Sequence, residues 1–172
     1  PAPNADMTPA APAQGEIQWT VPQGWKQLPG DGQMRYASFE VSADHPEIQL
    51  TVIPLGAEAA DLLPNVVRWE GQVGLPPSQM TDLPNVVKRV TVGDVNIDTV
   101  DLTGPESANP RLRMLAAIAP HEGQTWFFKL FGPAELIGAQ KGNFETFIKS
   151  IHFGGSPVPP PPVAAVASGA AG

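Results

Sequence analysis

The segment 124–133 constrains the fold more than any other part of this chain, because it is apolar on both sides of an extended strand. The two sides carry Trp126, Phe128 and Leu130 against Phe127, Lys129 and Phe131. A strand that is apolar on both faces is one that the fold covers on both faces. We therefore expect a central strand with layers above and below it, and we expect Lys129 to lie near a strand end or to be paired.

An amphipathic helix is predicted directly after this strand, over residues 134–153. Pro133 occupies its first position, where the missing N–H costs nothing. The apolar stripe of this helix consists of Leu136, Ile137, Phe144, Phe147, Ile148 and Ile151. Glu145 and Lys149 are four residues apart and are expected to form an ion pair on the helix surface.

The remaining elements follow from the spacing of the apolar residues. Alternation with a period of two predicts strands at residues 16–21, 34–41, 48–53, 86–92, 95–102 and 111–119. Spacing of three and four predicts a helix over 61–73, with Pro64 in its first turn, whereas Pro54 is expected to end the strand before it. The predicted class is α+β, a mainly antiparallel sheet shielded by helices in an α/β/α sandwich.

The composition of the two ends differs from that of the middle. Residues 1–14 and 154–172 are rich in Pro and Ala and contain almost no large apolar side chains, so we expect disordered or extended arms there. The run from Pro159 to Pro162 favours a polyproline II helix. One folded domain is therefore predicted over residues 15–153, between an N-terminal and a C-terminal arm.

Charge and residue content exclude several kinds of function. The net charge of −7 and the lack of a Lys/Arg cluster argue against a nucleic-acid partner. The chain contains no cysteine, which excludes disulfides and thiolate chemistry, and no apolar run long enough to span a membrane. A chain that begins at Pro1 with a Pro/Ala spacer is typical of a mature exported protein, so we expect a periplasmic location or one at an extracytoplasmic membrane surface.

No sequence motif indicates catalysis. The serines lie in no nucleophile elbow, and Asp98 and Asp101 are three residues apart on one strand, hence on opposite faces. His45 and His121 lie in predicted hairpin loops beside carboxylates, so a metal site is possible only if both loops lie at the same end of the sheet. We expect solvated loop histidines, no cofactor and no enzymatic activity.

Tryptophan is the residue type that most favours a binding surface here. Trp69, beside Arg68 on the predicted middle helix, and Trp25, after a turn, are each either core residues or exposed contact residues. Core packing is the simpler interpretation for both rings. The alternative predicts a partner-binding surface that consists of Trp25, Arg68 and Trp69 with the arm residues Pro159, Pro160, Pro161 and Pro162.

Several of these segments together resemble a known family. They are residues 19–25, residues 35–39, the middle helix, and residues 125–129 with the helix that follows as far as Phe153. Over most of residues 16–153 the chain resembles the PsbP-like/DcrB-like domains of exported bacterial proteins, with uncharacterised lipoprotein-like relatives. The residues that carry the resemblance are architectural and include no catalytic motif.

The resemblance implies a non-enzymatic role. Members of this group are accessory or extrinsic subunits that dock on membrane complexes. The first hypothesis is therefore a non-catalytic exported accessory subunit that docks on a larger, membrane-associated protein complex. The alternative is a periplasmic protein that binds a small ligand or a metal, and a hydrolase is the remote alternative.

Overall fold

The computed structural model describes residues 17–29 and 36–153, and everything below refers to these residues. The strands are β1 (Ile17–Gln18), β2 (Lys26–Leu28), β3 (Ala37–Glu40), β4 (Gln49–Gly56), β5 (Val87–Val92), β6 (Val95–Thr103), β7 (Leu112–His121), β8 (Gln124–Pro133) and β9 (His152–Phe153). The helices are α1 (Leu62–Val73), α2 (Leu83–Val86), α3 (Ala134–Ala139) and α4 (Lys141–Lys149), with short 3-10 turns at Ala57–Ala60 and Met80–Asp82. The predicted 1–14 and 154–172 arms lie outside the described residues.

One antiparallel sheet organises the domain. Its seven strands run in the order β2-β3-β4-β8-β7-β6-β5, and β1 pairs with β9 as a separate two-stranded ribbon. Strand β8 lies in the middle of the large sheet, paired with β4 on one side and β7 on the other. The central position predicted for residues 124–133 is confirmed.

The first core lies on the sheet face covered by α3, α4 and the small ribbon. Phe147 of α4 is fully buried, and its ring lies 5.3 Å from that of Phe39, 6.1 Å from that of Phe128 and 5.5 Å from that of Trp25. The indole of Trp25 donates a hydrogen bond of 2.8 Å to the side chain of Gln140. This face thus joins the first described residues of the chain to the last helix.

The second core lies on the opposite face, under α1. The helix buries Val66, Trp69 and Val73, a spacing of three and four residues, as the sequence predicts. They pack against alternate residues of the sheet, which are Val100, Leu102, Met114, Ala116, Ile118 and Phe127. With a core on each face, the α+β class and the helix-shielded antiparallel sheet are confirmed.

Strand β4 continues past the proline that the sequence predicts as its end. Pro54 lies within β4 and opposite Trp126 of β8. On the other side of β4, the ladder with β3 ends at Val52, so among the described residues no strand pairs with Pro54 on that side. Proline is tolerated where a strand has an unpaired side.

The predicted helix over 134–153 is in fact two helices and a strand. It breaks at Gln140, between Gly138 and Gly142, and glycine is a weak helix former. After α4 the chain becomes extended and forms strand β9. This strand pairs with β1, with Phe153 opposite Ile17. The ion pair predicted between Glu145 and Lys149 is replaced by one between Lys141 Nζ and Glu145 Oε2 at 2.9 Å.

Candidate docking surface

The tryptophans singled out by the sequence are core residues in the structure. Trp25 is 8% exposed and Trp69 is 2% exposed, so neither ring lies where a docked partner would contact it. Arg68 is exposed, donates a 2.7 Å hydrogen bond to Asn65 Oδ1 and lies with its guanidinium carbon 5.6 Å from the centre of the Trp69 ring. Pro159, Pro160, Pro161 and Pro162 lie outside the described residues.

The topology separates the two histidines considered for a metal site. His45 lies in the β3–β4 loop, just before Gln49, whereas His121 lies just before Gln124 at the start of β8. Because β4 and β8 run antiparallel with Gly56 opposite Gln124, the two loops lie at opposite ends of the sheet. In the described part of the chain no three His, Asp or Glu side chains form a group that could hold a metal ion.

The two acidic residues of β6 are each satisfied by an arginine on their own face. Asp98 accepts from Arg89 Nε at 2.9 Å and from Arg89 Nη2 at 3.2 Å on the α1 side. Asp101 accepts from Arg113 Nε at 2.8 Å and from Arg113 Nη2 at 2.7 Å on the α4 side. The prediction that Asp98 and Asp101 lie on opposite faces is confirmed.

A cleft of about 450 Å³ opens where the first turn of α1 meets the edge of the sheet. We call it the Met80 cleft. It is lined by Leu62, Met80, Leu83, Pro84, Val87, Arg89 and Asp98. Five of the seven side chains are apolar, and Met80 is 65% exposed, more than either of the other exposed large apolar residues, Leu55 and Phe131. A flexible thioether at the opening of an apolar cleft adapts to differently shaped apolar partners.

The wall that carries Met80 is held in place by a buried carboxylate. Glu70 of α1 is 4% exposed, and its Oε1 accepts a 2.7 Å hydrogen bond from the backbone N–H of Ser78. The hydroxyl of Ser78 donates to the other carboxylate oxygen. Gln79 and Asp82 then form a capping box around the 3-10 turn, in which Asp82 Oδ2 accepts from the Gln79 N–H at 2.8 Å. The cleft is therefore preformed.

One ion pair forms the polar side of the Met80 cleft. The Asp98 side chain is 10% exposed, whereas that of Arg89 is 59% exposed. The hydrogen bond and charge of Asp98 raise the pKa of Arg89 above its ordinary value, so the guanidinium stays protonated. The carboxylate is thus neutralised by a bidentate partner, and the walls suit binding of apolar groups better than proton transfer.

Sequence reasoning missed this cleft. Residues 78–85 carry neither a clear strand period nor a clear helical one, and Met80 and Leu83 alone are weak indications. What makes them a site is their position beside Leu62 of α1 and Val87 of β5, which only the packing determines.

The comparisons with known proteins concern the fold. The sequence matches no family model and no curated protein. A protein from Bacteroides thetaiotaomicron has a similar structure, with a TM-score of 0.49 and 12% identity over 80% of this chain, which spans only 45% of the length of that protein. Cyanobacterial PsbP from Synechocystis matches with a TM-score of 0.48 and 14% identity, over 85% of this chain and 97% of that one.

A third similar structure is LpqN of Mycobacterium tuberculosis, described as involved in cell envelope biogenesis. The TM-score is 0.48 and the identity 12%, over 82% of this chain and 84% of that one. A PsbP protein is thus among the similar structures. All three TM-scores lie below 0.5 and all three identities at or below 14%, so these likenesses assign neither a family nor a function.

The described helices are short, and none has both the length and the apolar content required to cross a membrane.

Proposed function

We propose that the chain is a non-catalytic accessory protein that docks on a larger protein complex through the Met80 cleft. The partner supplies an extended apolar segment that pairs with strand β5 and places a side chain in the cleft. Following the resemblance of the sequence, we further propose that the protein is exported and that the complex is membrane-associated.

The observation that carries this proposal is the position of the cleft beside a sheet edge. Strand β5 is the last strand of the seven-stranded sheet, and within the described chain no strand pairs with its outer side. Val87 and Arg89 of β5, two residues apart and therefore on one face, both line the cleft. A segment added alongside β5 would place every second side chain on that same face.

The charges of β5 are compatible with such pairing. Lys88 lies on the opposite face, where its charge contributes to the lowered pKa of Glu145 on α4. Arg89 is held against Asp98 by its two hydrogen bonds. Arg89 is therefore tied back over the sheet, and Lys88 lies on the face away from the cleft.

Met80→Asp tests the proposal, because it places a charge among apolar walls without changing a core residue. The control is Leu55→Asp, which alters another exposed apolar residue, 39% exposed, on strand β4. We expect the native full chain to copurify from gently solubilised membranes with one defined assembly. Met80→Asp is expected to lose that assembly, and Leu55→Asp to retain it, with the Tm of both close to that of the wild type.

Hydrogen exchange and crosslinking locate the contact. In the purified assembly the amides of β5 should exchange more slowly than in the free chain, and a photocrosslinker at position 80 should capture a single subunit. A strictly monomeric native protein, or an assembly retained equally by Met80→Asp, would reject the proposal.

A second candidate is binding of a small apolar ligand in the same cleft. The observation that favours it is that five of the seven lining side chains are apolar, since small-molecule sites are lined mainly by apolar side chains. Native mass spectrometry distinguishes the two candidates, because a ligand adds a constant small mass to the free chain that Met80→Asp removes.

A further inference from the structure

Half of the sheet face on the α1 side carries no helix among the described residues. Helix α1 packs on β6 and β7, and strands β2, β3, β4 and β8 continue the same face beyond it. One row of residues paired across the strands passes from the part of the face without a helix to the part that α1 covers. It contains Leu28, Ser38, Thr51 and Lys129 in the first part, and Ala116 and Val100 under α1. We call the first part the open half-face, and its accessible residues are Leu28, Thr51, Ile53, Lys129 and Phe131, whereas Ser38 is buried.

The open half-face is partly apolar. Ile53 is half-buried on β4, and Phe131 of β8 is 37% exposed. Thr51 pairs directly with Lys129 across the two strands and adds a hydroxyl to the row. The surface therefore offers apolar contacts beside a polar centre.

A lysine side chain lies at that centre. Lys129 is half-buried in the central strand, and no carboxylate lies within ion-pair distance of it among the described residues. Its pKa lies below the ordinary lysine value because of burial and, second, because of the charge of Arg68. Arg68 itself bonds to the neutral side chain of Asn65. The Trp69 ring beneath Arg68 lies 6.2 Å from the ring of Phe127, which is two residues before Lys129 on the same face of β8. Both cations therefore lie at the border between α1 and the open half-face.

We propose that the open half-face binds an acidic polypeptide segment. A carboxylate of the segment lies between the Lys129 ammonium and the Arg68 guanidinium, and adjacent apolar side chains of the segment contact Ile53 and Phe131. Charge complementarity selects this occupant, since a carboxylate provides both cations with the counter-charge that the described chain lacks. The surface is separate from the Met80 cleft, so the proposal does not depend on the function proposed above.

Binding of poly-L-glutamate to the purified full chain is the first test. We expect saturable binding at low ionic strength that weakens as salt is added, with NMR shifts concentrated at Ile53, Lys129 and Phe131. Lys129→Met and Arg68→Gln should each weaken binding about tenfold, the change expected for loss of one charge-assisted hydrogen bond. The matched control is Lys149→Met, which removes an exposed lysine on α4, across the sheet.

The stability of the variants keeps this test interpretable. Lys129→Met removes a half-buried charge and retains the aliphatic stem, so its Tm should equal or exceed that of the wild type. Arg68→Gln alters an exposed side chain and should also fold. Met80→Asp should bind poly-L-glutamate normally, which separates failure of this proposal from failure of the proposed function.

Three outcomes would overturn the proposal. The first is equal binding by wild type, Lys129→Met and Arg68→Gln. The second is complete competition by inorganic phosphate at a charge concentration equal to that of the poly-L-glutamate carboxylates, which would indicate a simple anion site without apolar contacts. The third is Lys129-dependent binding to vesicles that contain anionic lipid, with no binding of poly-L-glutamate.

Discussion

Glu70 shows how one residue determines the shape of the candidate docking surface. Its carboxylate is nearly inaccessible and accepts two hydrogen bonds, both from Ser78. Glu70→Ala should lower the free energy of unfolding by about 1–3 kcal/mol, because it leaves a partly buried N–H without its acceptor. Urea unfolding measures the loss.

A double-mutant cycle with Ser78→Ala provides the control for this prediction. Since the two side chains share one interaction, the double variant should lose less stability than the sum of the single variants, with a coupling energy of at least ~0.5 kcal/mol. Strictly additive losses would show that Glu70 stabilises the fold by other contacts.

The tryptophans mark the limit of prediction for single residues. By type and spacing, Trp25 and Trp69 favour a core but also fit an interface, since a large amphipathic ring suits both environments. The structure places them in the two different cores, against Phe147 and Phe127 respectively. Only the position of each ring relative to the sheet distinguishes core from interface.

At the scale of the element, α1 offers a matched pair of glycines. Gly74 ends the helix with φ of 88°, and the N–H of Leu75 bonds to the carbonyl of Glu70 at 2.8 Å. Gly74→Ala should cost about 1–2 kcal/mol, because a Cβ is disfavoured in the left-handed region. A Cβ there would lie 3.6 Å from Pro105 Cδ, an ordinary contact, so the cost is one of backbone conformation.

Gly71→Ala is the control, and the opposite effect is expected. Gly71 is exposed on the same helix, and an added Cβ would meet no atom within 4 Å. Alanine should therefore raise the free energy of unfolding by roughly 0.8–1 kcal/mol through helix propensity alone. Thermal and urea unfolding of both variants measure the two changes in the free energy of unfolding. Changes of the same sign would contradict this account.

The element boundaries that sequence reasoning predicted wrongly depend on residues that are distant in the chain. Strand β4 tolerates Pro54 because β3 ends two residues earlier. The final helix breaks at Gln140, whose side chain accepts from the distant Trp25. The helices and strands with strong periods, α1 and β8 above all, lie close to their predicted bounds, whereas ends set by a partner strand or a distant side chain do not.

At the scale of the whole molecule, one acidic side chain links three elements, and its ionisation makes the stability of the fold depend on pH. Asp101 lies between Arg113 and Lys141, with its Oδ2 3.4 Å from Lys141 Nζ, so it links β6, β7 and α4. Burial raises the pKa of Asp101, but Arg113 and Lys141 together lower it below the ordinary value. A lowered pKa means that the ionised carboxylate stabilises the folded state more than the protonated one does.

The pH dependence follows from that sign. The stabilisation by Asp101 is fully present above the pKa of the unfolded chain, about 3.9, and is lost as the pH falls through the lower folded pKa. Asp101→Asn should therefore lower the Tm at pH 7, and the difference from wild type should shrink below about pH 4. Glu106→Gln, which removes one charge from an exposed loop, should show no such convergence. A constant difference between wild type and Asp101→Asn across this range would contradict the assignment.

The sequence by itself determined the class of the fold and its central strand. Two-sided apolar alternation in residues 124–133 and helical spacing in 61–73 are local patterns, and each leaves a single way to bury its apolar side chains. Tertiary structure alone decided which surfaces stay open: the Met80 cleft between α1 and the sheet edge, and the half-face around Lys129 that α1 does not cover. The physical reason is that burial is a property of the assembled layers, so residues far apart in the chain determine which side chains remain exposed for binding.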